Sequence, residues 1–513
     1  MGKPLFGKDR ICAVVAASTE RDMRKQLRLA LRQTKLVELR LDWLRNTLAI
    51  MKFAGALIAR RSRATFIATC RTKAGGGKLA AKGPGAIWSQ LFFLSGYSKF
   101  GCKWCDIEVQ SLKVPPFVFQ VYFGDWPLKP SSPPHLILSA HFWDETPRNL
   151  GKLIRALDKF GSSAVKIATK CNSIADSLRV LALAKSKKNV IAMPMGEIGL
   201  PARVLALREG SALTYAAVGE KTAPGQLTLD EMKNLYRADK LDKRTRVYGV
   251  IGDPVAHSLS PLMHNRAFQH KKINAVYLPF LVRDLRDFLS AIKPMGIAGF
   301  SVTLPHKEKI LRYLDGCDPL ASAIGAVNTV VVRGGGKLYG YNTDYVGALR
   351  ALERRVRLQG SRVLIFGAGG AARAVAFALA QAGAVVCISA RRMDQAEELA
   401  RAVGGEVISW PRIRKEFFDA IVNATPVGMH PRQNESPLAA NELNCRLVFD
   451  TIYRPMKTKL LQLAEKRGIA TVSGVEMFVV QGTAQWEIWM GQRAPETLMR
   501  NTVVQALRKE ERK

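Results

Sequence analysis

Short apolar segments alternate with helical or loop stretches eight times between Ile11 and Val218: Ile11–Ala17, Leu36–Leu41, Thr65–Cys70, Trp104–Val109, Leu136–Ala140, Ala164–Ala168, Val190–Pro194 and Leu213–Val218. Apolar runs this short, bounded by polar or Gly/Pro-containing stretches, read as buried strands. Strand and crossover alternating eight times predicts a parallel sheet closed into a (β/α)8 barrel. One stretch, Pro115 to Pro134, is Pro-rich and does not read as a clean helix.

A barrel of this kind carries chemistry at the C-terminal ends of its strands. In the sixth segment, Ala-Val-Lys-Ile-Ala-Thr, alternation puts Ala164, Lys166 and Ala168 on one face and Val165 and Ile167 on the other. A lysine among small residues inside a barrel is costly unless paired or neutral. Burial favours the neutral amine, which can attack a ketone. Other polar residues fall at successive strand ends. Glu38 and Arg40 share a face of the second segment, Arg71 follows the third, and His141 follows the fifth. Arg203 lies after the seventh, and Thr222 and Gln226 sit in Thr-Ala-Pro-Gly-Gln after the eighth. Together they offer cations for a carboxylate, a histidine for proton transfer and an amine for a carbonyl.

This set resembles the type I 3-dehydroquinate dehydratases, over nearly all of residues 1–240. The resemblance implies that Lys166 forms an imine with the substrate ketone. It implies that His141 moves the protons and that Arg203 binds the carboxylate. Glu38, Arg40, Arg71, Thr222 and Gln226 are then left to grip hydroxyls or each other. One position departs from the family. A Glu usually stands four residues after the arginine of the third strand and partners the catalytic histidine; here Gly75 occupies that place, in Arg71-Thr-Lys-Ala-Gly-Gly-Gly77.

Lys240 to Arg246 is a short charged connector. The run that follows is Tyr248-Gly-Val-Ile-Gly-Asp-Pro-Val-Ala-His-Ser-Leu-Ser-Pro-Leu-Met-His-Asn265. It reads as a strand, a tight turn, a Ser-Leu-Ser loop and a helix with Pro261 at its first position. Ser258 and Ser260 stand at that helix N-terminus, where free N–H groups suit a carboxylate, or they only cap the helix. Downstream come Gly299-Phe-Ser-Val-Thr-Leu-Pro-His-Lys307, Gly325-Ala-Val-Asn-Thr-Val330 and Gly340-Tyr-Asn-Thr-Asp344. Arg362 to Arg373 is a strand, a glycine turn and an Ala-rich helix in which Gly367, Gly369 and Ala372 fit G-x-G-x-x-A. The next strand ends in Ser389-Ala-Arg-Arg392, with no acid for a ribose 2′-hydroxyl and two arginines suited to a 2′-phosphate.

These motifs resemble the shikimate dehydrogenases one by one. The resemblance implies a polar dyad of Lys307 and Asp344 at the reacting oxygen. Ser258 and Ser260 are implied at the carboxylate, with Thr303, Asn328, Tyr453 and Gln481 lining the rest of the substrate site. It implies NADPH/NADP+ held by Gly367, Ala368, Gly369, Gly370, Ala371, Arg391, Arg392, Thr425 and Gly474. The whole is expected to be α/β: a barrel at 1–240, a substrate lobe at 246–348, a Rossmann-type NADP-binding lobe at 349–473, and helices at 474–513 that return to the substrate lobe. The implied function is bifunctional, with 3-dehydroquinate dehydrated to 3-dehydroshikimate and this reduced to shikimate. The alternatives are a weakened dehydratase half, or a quinate/shikimate dehydrogenase using NAD in the second.

With 513 residues the chain has room for several domains, and 48% hydrophobic content is ordinary for a globular protein. No apolar run is long enough for a bilayer, and the first strand begins after ten residues, so a cytoplasmic protein without a leader is expected. Eight cysteines, including an isolated Cys102-x-x-Cys105, read as reduced thiols, and no metal site is expected. The net charge of +36 brings nucleic acid into question. The basic residues are spread along the chain, without a recognition motif, so only small-molecule partners are expected. The charge either raises encounter with anionic metabolites or reflects surface composition.

Overall fold

The structure is a computed structural model. It describes residues 5–45, 49, 52–53, 63–73, 76–79, 94, 102–108, 135–158, 162–187, 189–219 and 225–512. Gly75, Thr222 and the Pro115–Pro134 stretch lie outside the described residues. There are two compact units, Met1–Thr245 with Arg286–Pro294, and Arg246–Leu285 with Met295–Lys513.

All eight expected strands form in the first unit: β1 (Ile11–Val15), β2 (Leu36–Arg40), β3 (Thr65–Thr69), β4 (Trp104–Glu108), β5 (His135–Phe142), β6 (Ala164–Lys170), β7 (Val190–Met195) and β8 (Thr214–Ala217). They pair in parallel in the order β7-β6-β5-β4-β3-β2-β1-β8. The seam between β7 and β8 is bridged by Ala212 N–H to the Val190 carbonyl at 2.9 Å and Ala192 N–H to Ser211 Oγ at 3.1 Å. The result is a nearly closed barrel.

Alternation sorts the β6 side chains as expected. Ala164 and Ala168 join Cys12, Val14, Leu36, Ile67, Trp104 and Ile191 in one cluster. Val165 and Ile167 pack outward against α2 (Leu150–Asp158) and α3 (Ile174–Ser186), which follow α1 (Glu20–Gln33) in the chain. Helix α1 shows how the basic composition is accommodated: Met23, Leu27 and Ala30 are buried at helical spacing, while Arg21, Arg24, Lys25, Arg28 and Arg32 are exposed. Its first turn is capped by Thr19, whose hydroxyl accepts from Asp22 N–H at 3.2 Å.

One sequence placement needs correction. His141 lies within β5 rather than after it, because pairing with β6 continues through His141↔Ala168 and Phe142↔Thr169. Arg203 follows β7 as expected, in α4 (Leu200–Glu209), whose Pro201 sits in the first turn.

The second unit has two six-stranded sheets. The first, in the order β10-β9-β11-β13-β14-β12, contains β9 (Arg246–Gly252), β10 (Ala275–Leu281), β11 (Ile297–Val302), β12 (Gly316–Cys317), β13 (Thr329–Val332) and β14 (Leu338–Tyr341). Its β13 runs antiparallel to both neighbours, and the remaining pairs are parallel. Helix α5 (Ser260–His270) follows β9. Its first residue is Ser260, with Pro261 one position inside, and its N-cap residue Leu259 makes no side-chain cap.

The other sheet is wholly parallel, in the order β17-β16-β15-β18-β19-β20: β15 (Arg362–Phe366), β16 (Val385–Ser389), β17 (Glu406–Val407), β18 (Phe418–Asn423), β19 (Cys445–Asp450) and β20 (Ala470–Val472). Both faces are covered, with Val363 and Ile365 in one core and Leu364 and Phe366 in the other. The strand order reverses between β15 and β18, the place where open α/β sheets leave a ligand crevice. Helices α6 (Asp344–Glu353), α7 (Gly370–Gln381), α8 (Met393–Val403), α9 (Gly474–Met490) and α10 (Glu496–Glu511) complete the unit. Trp489 of α9 donates to the Val330 carbonyl at 3.1 Å, which returns this helix to the first of the two sheets.

Candidate active sites

In the barrel, Lys166 is 4% exposed, and its Nζ lies 3.0 Å from Asp106 Oδ2 and 3.8 Å from Glu38 Oε1. The Tyr215 ring centroid is 4.0 Å from the same nitrogen. Asp106 also accepts from Ser139 Oγ at 2.5 Å and Arg71 Nη2 at 3.3 Å. Glu38 accepts from Thr69 Oγ1 at 2.8 Å, and Arg71 Nε faces Glu108 Oε1 at 3.4 Å. Arg40 is taken up by Asp42, with Nε to Oδ1 at 3.0 Å and Nη2 to Oδ2 at 2.8 Å.

His141 is buried and stacks on Trp143 with ring centroids 5.9 Å apart. Burial, then the charges of Arg71 and Lys166, hold its pKa well below the ordinary histidine value, so the ring is neutral and able to accept a proton. Its Nδ1 is buried without an acceptor among the described residues. Arg203 is 1% exposed, with Nε and Nη1 both unpartnered among the described residues, and burial lowers its pKa to about 10. An unpaired guanidinium in such a place is costly until an anion joins it. Glu38, Arg40, Arg71, His141, Lys166, Arg203 and Gln226 line one cavity with Tyr215, Trp143 and Met193. The cavity thus offers an amine, a neutral imidazole and an unclaimed cation.

In the second unit, Lys307 Nζ donates to Asp344 Oδ2 at 2.6 Å. Val327 N–H holds the Lys307 carbonyl at 2.8 Å, and Asp344 opens α6. Asn328 and Thr343 bond reciprocally at 2.9 and 2.8 Å, which fixes the backbone beside Asp344. Ser258 Oγ accepts from Ser260 N–H at 3.3 Å. Tyr453 stacks on Phe478 with centroids 4.1 Å apart; burial raises its pKa, opposed by hydrogen bonds at Leu259 and Ser258. Gln481 donates to the Phe478 carbonyl at 2.7 Å and packs beside Gly347 of α6. Thr303 follows β11, with its N–H on the Ile251 carbonyl at 3.0 Å.

The glycine turn fits a dinucleotide. Gly367 has φ +112°, and a Cβ there would come 2.9 Å from the Ala424 carbonyl. A Cβ on Gly369 would meet nothing within 4 Å, which leaves open space before the first turn of α7, and no side chain caps that helix. Ala368 is buried and Ala371 half-buried on either side of this opening. A Cβ on Gly370 would approach Lys307 Cβ to 3.1 Å, so the cradle abuts the Lys307–Asp344 pair. Arg391 and Arg392, just beyond β16, are exposed. Thr425 Oγ1 donates to Asn423 Oδ1 at 2.7 Å, and Gly474 opens α9 where any side chain would strike the Thr451 carbonyl.

A family model for type I 3-dehydroquinase matches residues 11–243, one for the shikimate dehydrogenase substrate binding domain matches 250–330, and one for the shikimate 5'-dehydrogenase C-terminal domain matches 474–504. A chloroplastic bifunctional 3-dehydroquinate dehydratase/shikimate dehydrogenase of Arabidopsis thaliana is 37% identical over 489 residues, 90% of this chain and 79% of that one. The chain belongs to the bifunctional 3-dehydroquinate dehydratase/shikimate dehydrogenase family. A shikimate dehydrogenase (NADP(+)) of Bacillus anthracis is 46% identical over 258 residues, 48% of this chain and 93% of that one. The solved shikimate 5-dehydrogenase of Thermus thermophilus, in complex with NADP(H) and shikimate, is 36% identical, with a TM-score of 0.48 over 51% of this chain and 100% of that one.

Within this bifunctional enzyme, sequence reasoning did not single out Asp106, Glu108, Asp42, Ser139 and Tyr215, which lie against Lys166, Arg71 and Arg40 or their partners. Alternation along β4 would have found the first two, since Asp106 and Glu108 share its inner face. Thr222 lies outside the described residues. Among the described residues, no group of acids, histidines and cysteines could hold a metal, and no helix is long and apolar enough to cross a membrane.

Proposed function

We propose that the chain runs two consecutive steps: the barrel dehydrates 3-dehydroquinate through an imine on Lys166, and the second unit reduces the resulting 3-dehydroshikimate with NADPH. The observation that carries the first step is Lys166, buried on the inner face of β6 in a cavity that also holds the unpaired Arg203. Arg203 takes the substrate carboxylate in the forked geometry of a guanidinium. The amine condenses with the ketone, and the protonated imine acidifies the neighbouring C–H. Neutral His141 removes that proton and then protonates the departing hydroxyl. Glu38 orients substrate hydroxyls or Lys166 itself, and Gln226 and Thr222 complete the grip.

In the second unit, the bound cofactor supplies a hydride to the ketone carbon. Lys307 donates the proton to the oxygen, and Asp344 orients Lys307 at 2.6 Å and binds a hydroxyl. Ser258 and Ser260 hold the carboxylate at the α5 N-terminus, while Thr303, Asn328, Tyr453 and Gln481 line the ring of the substrate. Gly367 to Ala371 would let the backbone approach the pyrophosphate, and Thr425 and Gly474 would help hold the cofactor. Arg391 and Arg392 would take its 2′-phosphate. The functional parts run over 1–240, 246–348, 349–473 and 474–513. We read the partners as small molecules alone and the compartment as cytoplasmic, in keeping with eight unpaired cysteines.

Borohydride with 3-dehydroquinate tests the first step. The expected result is a covalent adduct and loss of dehydration, with no adduct in Lys166→Ala. An adduct that persists in the variant contradicts the assignment.

A further inference from the structure

Lys166 has an acid at contact distance that the mechanism above leaves without a role. Asp106 Oδ2 is 3.0 Å from Nζ, nearer than Glu38 at 3.8 Å. The carboxylate is fully buried on the inner face of β4. Ser139 Oγ fixes Oδ1 at 2.5 Å, and Arg71 Nη2 shares Oδ2 at 3.3 Å. Its neighbours therefore aim it at the amine before substrate arrives.

The other groups around Lys166 do not duplicate it. Glu38, from β2, is turned to Thr69, and Arg71, after β3, is a cation also facing Glu108. His141, from β5, is neutral. Tyr215 from β8 and Cys12 from β1 are held protonated, chiefly by burial.

We propose that Asp106 is a further catalytic residue of the dehydration, the resident counter-ion of the Lys166 nitrogen in both its ammonium and its iminium forms. This rests on the imine reading. The charge on nitrogen explains why one fixed anion serves throughout. The ammonium gives a proton to His141, and the lone pair then forms the C–N bond as the carbonyl π pair moves to oxygen. That oxygen takes up two protons in all, one returned from His141 and one released by the nitrogen, and leaves as water. The nitrogen is +1 at the start and +1 as iminium. Removal of the neighbouring proton sends an electron pair to the nitrogen, and expulsion of the hydroxyl returns that pair and restores the iminium. Asp106 faces each cationic stage across about 3 Å of water-excluded space, where a preorganised charge acts strongly.

The test uses the full chain with 3-dehydroquinate. Asp106→Asn should lower kcat on the order of 10²-fold, the scale for removing one preorganised electrostatic partner. KM should hardly move, because Arg203 still takes the carboxylate. The borohydride adduct formed at saturating substrate should fall with kcat. Asp106→Glu should recover part of both, and Ser139→Ala, which only loosens the carboxylate, should lose less than Asp106→Asn. A folded Asp106→Asn enzyme with unchanged kcat and adduct overturns the proposal. If that variant does not fold, unchanged kcat in both Asp106→Glu and Ser139→Ala overturns it. Absence of any adduct in the unsubstituted enzyme would instead strike the imine reading.

Discussion

Arg391 and Arg392 sit exposed just past β16, where a dinucleotide fold presents its discriminator for the ribose. Charge-assisted hydrogen bonds contribute roughly 1.5–3 kcal/mol each, and about 1.4 kcal/mol is a factor of ten. One good contact to a 2′-phosphate therefore favours NADPH by about ten- to a hundred-fold. Arg391→Ala should erode that preference by lowering kcat/KM for NADPH while leaving NADH nearly unchanged. Equal use of both cofactors by the unsubstituted enzyme would contradict the assignment. At His141 the expectation concerns a missing partner. Its Nδ1 has no acceptor among the described residues, and the family's carboxylate is replaced by Gly75. Gly75→Glu should raise the dehydration rate by part of the 10²–10⁴-fold that proton transfer contributes; an unchanged rate would mean that another group already serves. Lys166, His141, Lys307 and Asp344 stood out because each stands in a motif that chemistry restricts, and the structure places the first two in one cavity and pairs the last two. Asp42 was not. Beyond β2 the chain turns through a single 3-10 turn, Leu41–Trp43, so strand alternation no longer says that Asp42 folds back onto Arg40.

Elements were easier to read than partners. All eight barrel strands are apolar runs, and the outward faces of β5, β6 and β7 pack on α2 and α3, a pattern that survives without knowledge of the fold. What failed was where strands stop: hydrogen bonding to β6 carries β5 through His141, and no local signal marks that. The parallel sheet of the second unit holds a testable group at the end of β19. Asp450 is fully buried, and burial pushes its carboxyl up to about 6, against the pull of hydrogen bonds from Thr458, the Ile452 N–H and Asn423. A raised carboxyl contributes stability below its ordinary value and loses it as pH rises through about 6. The shift corresponds to about 3 kcal/mol. Asp450→Asn keeps the shape and removes the ionisation. Between pH 4 and 7 the unsubstituted chain should lose stability to urea that the variant retains. Parallel pH profiles would show that Asp450 stays ionised throughout.

At the scale of the whole molecule, a net charge of +36 meets two carboxylate substrates and a phosphorylated cofactor. Such a field concentrates anions, and it is screened over about 10 Å at 0.1 M salt. Both kcat/KM values should fall severalfold as salt rises; flat profiles would leave the charge a matter of surface composition. The central claim is that one chain carries both steps. It is tested most directly by supplying 3-dehydroquinate and NADPH to the purified protein and following shikimate and NADPH together. The account predicts shikimate formed mole for mole with NADPH oxidised. Lys166→Ala should stop the sequence while still reducing added 3-dehydroshikimate, and Lys307→Ala should let 3-dehydroshikimate accumulate. No shikimate from 3-dehydroquinate, with either half inert on its own substrate, would contradict it.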